Sequence, residues 1–174
     1  MLKRKATNFM KNWINTKDKK CLVVQGARQT GKTYTVERFA EENYEELVEI
    51  NFKQMPSAME IFSGDLTVDA MVMGMRFRFP EKKIIPGKTL IFLDEIQKVA
   101  AFEKVVDSLY VKPDIDIYII GSNAYMLSSD LATLLTGRYV EIKMLPLSFK
   151  EFLDITALDA EQGLTEYLRD GGLP

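Results

Sequence analysis

The sequence predicts an α/β fold whose central sheet is parallel and is covered by helices on both faces. Five short apolar runs, each long enough for one buried strand, are separated along most of the chain by segments with helical spacing. A turn that ends in Gly-Lys-Thr follows the first run directly, and the third run leads into an Asp-Glu pair. Because the carboxyl ends of parallel strands share one edge, we expect these polar residues to form a ligand site there.

Each strand is predicted from an apolar run bounded by polar or turn-forming residues. The five runs are CLVVQG (21–26), LVEINF (47–52), TLIFLDEI (89–96), IDIYIIGS (115–122) and YVEIKML (139–145). Helices are predicted at 32–42, 99–110 and 124–136, and a closing helical segment at 145–152. Strands that alternate with helices in this way are typical of βαβ units, which build parallel sheets.

The segments outside this alternation are also assigned. Before the first strand, Phe9 with Trp13 and Met10 with Ile14 form i,i+4 pairs, which favour a helix docked on the sheet. Alternatives for this basic segment are contact with the base of a nucleotide or with DNA. Between 53 and 88, MVMGMRFRF (71–79) alternates like a strand but also fits helical spacing, and we favour a helix. FPEKKIIPGKT (79–89) is predicted to be an exposed loop.

Composition limits the class of protein. The 174 residues suit one domain, and 47% apolar with 28% charged residues is typical of a globular chain. The net charge of −2 gives no overall sign of nucleic-acid binding, although residues 1–20 are strongly basic. A single cysteine excludes an internal disulfide, the lack of histidine excludes His-based catalysis, and no apolar run approaches the ~18 residues of a membrane span. We expect a cytoplasmic protein with no membrane partner.

The turn GARQTGKT (26–33) fits the phosphate-binding pattern G-x-x-x-x-G-K-[ST], with a predicted strand before it and a helix after it. Its glycines let backbone N–H groups point at an anion, and the helix dipole adds positive charge. Lys32 is predicted to reach the β- and γ-phosphates, and the Thr33 hydroxyl to bind Mg²⁺. Arg28 is expected to point outward, toward the nucleotide or a partner. The predicted nucleotide-binding residues are Gly26, Ala27, Arg28, Gln29, Thr30, Gly31, Lys32, Thr33 and Tyr34.

Two adjacent acids follow the apolar core of the third run. Asp94 comes after four apolar residues, at the expected carboxyl edge of a buried strand, and is predicted to hold Mg²⁺, mainly through water. The alternative is an acid that caps the next helix. Glu95 is well placed to polarise a water aimed at the γ-phosphate, which favours hydrolysis over simple binding. The alternatives are a surface acid and a charge at a helix N-terminus.

Three further residues are candidates for contact with the γ-phosphate. Ser122 ends the fourth run and Asn123 follows it, both level with Asp94. They could hydrogen-bond the attacking water or the γ-phosphate; the alternative is an N-cap for 124–136. Arg138 lies between a helix and the fifth strand and could stabilise charge on the transferring phosphoryl group, in its own molecule or in a neighbour's. The alternative is a lone surface arginine.

Several segments together resemble the AAA+-type ATPases common in bacteria and archaea. They are RKATNFMKNW, GARQTGKT, TLIFLDEIQ, GSNAYML, LTGRYVEIKMLPLSFKEF and GGLP, and they span nearly the whole chain. The resemblance implies a three-layer αβα sandwich with a five-stranded sheet ordered 5-1-4-3-2, ATP as the nucleotide, and Mg²⁺. It also matches Ser122 or Asn123 to the sensing position and Arg138 to the arginine finger. Gln97 belongs to the DEIQ signature, but no role is assigned to it.

The resemblance also suggests how the chain is divided. We expect a basic helical segment at 1–20, an ATPase core at 21–154, and the start of a helical lid at 155–174. Many relatives continue into a C-terminal domain, and we expect such a domain beyond Gly-Gly-Leu-Pro.

Taken together, the residues and the resemblance predict Mg²⁺-dependent ATP hydrolysis coupled to conformational change in a partner or a C-terminal domain. The alternative is a nucleotide-gated switch with little turnover. A small-molecule kinase is disfavoured because no second substrate site is recognisable, and a GTPase because no Asn-Lys-x-Asp motif follows the fourth strand. The expected partners are ATP or ADP, a protein and further copies of this chain; nucleic acid is weakly supported.

Overall fold

The computed structural model describes residues 4–16, 20–110, 115–121 and 137–172. The strands are β1 (Cys21–Gly26), β2 (Glu46–Asn51), β3 (Thr89–Asp94), β4 (Asp116–Ile120) and β5 (Tyr139–Met144). The helices are α1 (Lys5–Trp13), α2 (Lys32–Asn43), α3 (Val68–Arg78), α4 (Phe102–Tyr110), α5 (Phe149–Thr156) and α6 (Ala160–Asp170). Short 3₁₀ segments lie at Pro56–Phe62 and Ile96–Lys98.

All five strands pair in parallel, in the order β2-β3-β4-β1-β5. The predicted fold class and the order 5-1-4-3-2 are therefore confirmed. The three central strands carry apolar side chains on both faces, because helices cover both, and this is why their sequences form continuous apolar runs rather than alternating patterns.

Two apolar cores lie on the two faces of the sheet. Successive residues of a strand point to opposite faces, so Val23 and Ile91 join one core, and Leu22 and Leu90 join the other. Helices α3 and α4 cover the first face, while α1 and α2 cover the second. Within α1, Met10 and Trp13 are buried, so this helix docks on the sheet as favoured from its spacing. Within the described ranges, no helix combines the length and apolar character needed to cross a bilayer.

The helix favoured within 71–79 is α3, and the alternating-strand interpretation is wrong. Thr67 caps the helix by accepting a hydrogen bond from the Ala70 N–H, and Met71 and Met75 face the core. Phe77 on the opposite side is 89% exposed. The pattern was ambiguous because nearly every second residue is apolar, and only packing shows which of them are buried. Residues 79–88 form neither helix nor strand, as expected for a loop.

Several strands and helices begin or end at other residues than predicted, and the local backbone conformation explains two of these differences. β3 ends at Asp94 rather than at residue 96, because Glu95 has a left-handed backbone with φ of 57°. α4 starts at Phe102 rather than at 99, after Ala101, whose φ is 52°. β2 and β4 differ from their predicted bounds at both ends, and β5 at its C-terminal end, by one or two residues each. The predicted helix 124–136 lies outside the described residues.

The closing helical segment begins later than predicted and consists of two helices. α5 starts at Phe149 because Ser148 and Glu151 form a capping box, in which each side chain bonds the backbone N–H of the other. α6 packs back on α5 through Tyr167, whose ring contacts Phe149 and Phe152. The Tyr167 hydroxyl donates to the carbonyl of Leu147 at 2.6 Å, which ties α6 to the chain entering α5.

Candidate functional site

The loop between β1 and α2 has the backbone of an anion-binding turn. Gln29 and Gly31 both adopt left-handed conformations, with φ of 61° and 75°. Such turns bring successive N–H groups to one side of the chain. α2 begins at Lys32, so the N–H groups of its first turn have no acceptor within the helix. The backbone N–H groups of the loop and of the first turn of α2 therefore form a concave set of hydrogen-bond donors, and the positive end of the α2 dipole lies at the same place.

Gly26 lies where the loop leaves the sheet beside β5. A Cβ built on this residue would lie 2.3 Å from the carbonyl oxygen of Met144, far inside contact distance. The two residues are also partners in the β1–β5 register. A glycine is therefore required here by the close approach of the neighbouring strand.

The ammonium group of Lys32 lies over the loop. It donates to the carbonyl oxygens of Gly26 at 3.0 Å and Ala27 at 2.5 Å. Burial lowers the pKa of Lys32, while the negative charges of Asp94 and Glu95 oppose that shift. A partly desolvated cation next to inward-facing amides is well suited to bind a polyphosphate.

Asp94 stands at the carboxyl end of β3 and is only 8% exposed. Burial, followed by the charge of the adjoining Glu95, raises the pKa of Asp94 above its ordinary value. Its partner in the β2–β3 register is Asn51, whose Nδ2 donates to Asp94 Oδ2 at 2.8 Å. The Oδ1 of Asn51 accepts bonds from the N–H groups of Lys53 and Gln54, so the amide that holds Asp94 is itself fixed.

Glu95 has a conformation that is uncommon for a residue with a side chain. Its left-handed backbone costs roughly 1 kcal/mol, and such residues cluster at functional sites. Its N–H donates to the Ile120 carbonyl at 2.9 Å, which ties the turn to the end of β4. The Nε2 of Gln97 donates to Glu95 Oε2, so the carboxylate is oriented by a residue two positions along the chain.

The phosphate-binding loop and both acids face one cleft of about 530 Å³ at the carboxyl edge of the sheet. This volume falls in the range of small-molecule sites. Thr33 and Asp94 both line the cleft and offer the hard oxygen donors that Mg²⁺ prefers. The lining residues are Gly26, Arg28, Gln29, Lys32, Thr33, Lys53, Asp94, Glu95, Ile120 and Gly121.

Four residues predicted to bind nucleotide do not line this cleft. They are Ala27, Thr30, Gly31 and Tyr34. Thr30 is fully buried behind the loop, and its hydroxyl donates to the Ala27 carbonyl at 2.9 Å. Tyr34 is 48% exposed on α2. Ala27, Thr30 and Gly31 serve the loop through its backbone, while the side chain of Tyr34 lies outside the cleft.

Arg138 lies away from the cleft, next to the amino end of β5. Tyr139 pairs with Cys21 at one end of β1, while Gly26 pairs with Met144 at the other, so roughly 17 Å of strand separates Arg138 from the loop. Its guanidinium is 2.7 Å from the Asp107 carboxylate, and both side chains are about half exposed. Ser122 and Asn123 lie outside the described residues, directly after the cleft-lining Gly121.

The sequence motifs assign no role to Asn51, Lys53 or Gln97, although all three lie at or next to the cleft. A usable signal existed for Asn51, because it is the last polar residue of the second apolar run and the implied strand order puts that run beside Asp94. Gln97 lies only two residues after Glu95, so a hydrogen bond between its side-chain amide and the Glu95 carboxylate was within reach. Lys53 offered no comparable signal.

The fold and the cleft define the class of protein, a P-loop nucleotide-binding domain of the AAA+ type. A family model described as "AAA domain" matches residues 18–153, and the chain belongs to this family. The resemblance noted from the motifs is thereby confirmed.

Relatives of known sequence extend well beyond the length of this chain. An uncharacterised protein of Haemophilus influenzae is 37% identical over an alignment 183 positions long, which covers 96% of this chain and 43% of the relative. An uncharacterised protein of Methanocaldococcus jannaschii is 27% identical over 168, which cover 89% of this chain and 36% of the relative. The chain thus spans about two fifths of the curated relatives it matches.

A solved structure supports the fold. The structure of C. elegans PCH-2 superposes with a TM-score of 0.55 at 15% identity, covering 96% of this chain and 47% of that one. At this identity the likeness concerns the fold alone.

Proposed function

We propose that this domain binds ATP together with Mg²⁺ and hydrolyses the γ-phosphate. The observation that carries the proposal is the single cleft lined by Lys32 and Thr33 on one side and by Asp94 and Glu95 on the other. Hydrolysis is coupled to conformational change in a partner or in an adjoining domain.

Each residue of the cleft has a defined task in this proposal. The loop amides and the Lys32 ammonium, turned from its carbonyl partners, hold the phosphate chain. The Thr33 hydroxyl, and Asp94 mainly through water, would hold Mg²⁺, which would neutralise charge on the phosphate oxygens. The Glu95 carboxylate accepts a hydrogen bond from a water and orients it toward the γ-phosphorus.

The hydrogen bonds around the two acids support hydrolysis over simple binding. Asn51 fixes Asp94, and Gln97 separately fixes Glu95, so each carboxylate is oriented by its own amide. A preorganised acid beside the phosphate site lowers the cost of arranging the reacting water.

Ser122 and Asn123 are proposed to contact this water or the γ-phosphate. Arg138 is proposed to act on the nucleotide of a neighbouring copy.

The test compares Glu95→Gln with wild type in ATP binding and ATP turnover. We expect Glu95→Gln to bind ATP with affinity close to wild type while its turnover falls by at least ~100-fold, because the amide cannot accept a proton. Glu81→Gln changes an exposed loop acid outside the cleft and should keep wild-type turnover. Wild type that binds ATP tightly without turnover would instead support the nucleotide-gated switch.

A further inference from the structure

Arg4 is a charged residue whose burial requires an explanation. It stands just before α1, and only 4% of its surface is exposed. Charged side chains are almost never buried this deeply unless they are paired with an opposite charge or hydrogen-bonded. Its partners therefore indicate what the residue does.

The guanidinium of Arg4 bridges two backbone carbonyls from distant segments. Nη1 donates to the Thr30 carbonyl at 2.8 Å, and Nη2 donates to the Leu145 carbonyl at 2.5 Å. Nε lies 3.9 Å from Glu151 Oε1 in α5. Thr30 belongs to the phosphate-binding loop, and Leu145 directly follows β5, so one side chain joins the loop to the end of the neighbouring strand.

The bond to Thr30 fixes the orientation of a peptide group in the loop. A planar trans peptide has its C=O and N–H pointing in opposite directions. When Arg4 holds the Thr30 carbonyl, the Gly31 N–H must point away from Arg4. Arg4 lines a separate cavity of about 440 Å³ bounded by α1 and α5, and it does not line the cleft that contains Lys32 and Thr33. The guanidinium therefore holds the loop from behind.

We propose that Arg4 is a positioning residue for the phosphate-binding loop. It touches no nucleotide, but it orients the Gly31 N–H toward the phosphate chain by anchoring the preceding carbonyl. The inference rests on the proposed function only in that this loop binds phosphate; it does not require hydrolysis.

The planar fork of arginine suits this task better than lysine does. Two separate Nη groups in a rigid planar fork can each bind one carbonyl, whereas the single nitrogen of a lysine ammonium must come within hydrogen-bond distance of both carbonyls at once. Arg4→Lys keeps the charge and removes the fork, and Arg4→Met removes both. The two variants therefore separate the contribution of charge from that of geometry.

The experiment measures ADP affinity by calorimetry and the Gly31 amide resonance by ¹⁵N NMR, both well below the unfolding temperature. We expect Arg4→Met to weaken ADP binding about tenfold, because one well-oriented hydrogen bond from the Gly31 N–H to phosphate is lost. The same substitution should shift the Gly31 resonance. Arg4→Lys should fall between Arg4→Met and wild type. Where Arg4→Met does not fold, Arg4→Lys carries the test, and wild-type ADP affinity in it would overturn the proposal.

A matched control separates positioning from simple docking of α1. Met10→Ala removes buried packing of the same helix without touching the loop, so it should lower the unfolding temperature and leave ADP affinity unchanged. The proposal is overturned if Arg4→Met keeps wild-type ADP affinity, or if Met10→Ala weakens ADP binding equally. ADP binding without ATP hydrolysis would contradict the proposed function alone, and absence of ADP binding would overturn both.

Discussion

Gly26 shows how one position links the sheet to the phosphate-binding loop. β5 approaches so closely that only a residue without Cβ fits, and the loop begins at that same residue. The first glycine of the motif is therefore required by close packing against Met144, while the left-handed residues of the loop are Gln29 and Gly31.

Gly26→Ala should destabilise the fold and weaken nucleotide binding together. The added methyl would lie 2.3 Å from the Met144 carbonyl oxygen, so either β5 or the loop must move. We expect a loss of about 1–3 kcal/mol in the free energy of unfolding, measured by urea denaturation, and weaker ADP binding by calorimetry. Gly64→Ala is the matched control, because a Cβ there has no neighbour within 4 Å. Equal effects of the two substitutions would contradict this account.

At the scale of elements, α1 and α5 meet through Glu151. Its carboxylate accepts from the N–H of Lys5 at 3.1 Å and from the N–H and hydroxyl of Ser148 at 2.8 Å each. Burial alone would raise the pKa of Glu151, but the bonds from Ser148 and Lys5 and the charge of Arg4 outweigh it. The pKa of Glu151 therefore lies below its ordinary value, and the ionised carboxylate stabilises the folded state.

This shift predicts a pH-dependent contribution to stability. Because the folded pKa is depressed, the contribution is complete above the unfolded value of about 4.3 and is lost as pH falls through the lower folded value. We expect the difference in unfolding free energy between wild type and Glu151→Gln to stay constant near neutral pH and to shrink below about pH 4. Urea denaturation across this range measures it. A difference that grows toward acid pH would contradict the assignment.

Elements were predictable from the sequence where one local signal was enough. The apolar runs of β1, β3 and β4 are unbroken because both faces of these strands are buried, whereas the edge strands β2 and β5 are only partly buried and are interrupted by charged residues. The loop motif identified the phosphate-binding loop. The strand order came from the resemblance rather than from any local pattern. Arg4 was not predicted because its role depends on Thr30, 26 residues away in the chain. Asn51 lies 43 residues from Asp94, and only the strand order implied by the resemblance places the two next to each other. Spacing along one element carries no information about such contacts.

At the scale of the whole molecule, the position of Arg138 bears on assembly. It lies at the opposite edge of the sheet from the loop, so an effect on catalysis requires a second copy that presents this edge to the first copy's cleft.

The division into 1–20, 21–154 and 155–174, with 155–174 as the start of a lid, stays a prediction. Because the chain spans about two fifths of its curated relatives, the activity of a whole protein of that length is a proposal as well.

Arg138→Ala tests the role of this edge. The exposed pair with Asp107 contributes at most about 1 kcal/mol, so we expect stability and ADP affinity close to wild type. Turnover per molecule should rise with protein concentration in wild type and should stay low in Arg138→Ala. Arg169→Ala, which changes an exposed arginine paired with the adjacent Asp170, should behave as wild type. Turnover that is independent of both concentration and Arg138 would exclude a finger supplied by a neighbour.

The central claim is that one cleft binds the triphosphate between the loop and the paired acids. Calorimetric titration of Mg·ATP into wild type and Lys32→Ala tests it most directly, with Lys104→Ala as an exposed control outside the cleft. The account predicts that affinity falls at least about tenfold in Lys32→Ala, because a desolvated charged contact to phosphate is lost, while Lys104→Ala binds as wild type does. Unchanged affinity in Lys32→Ala would contradict it.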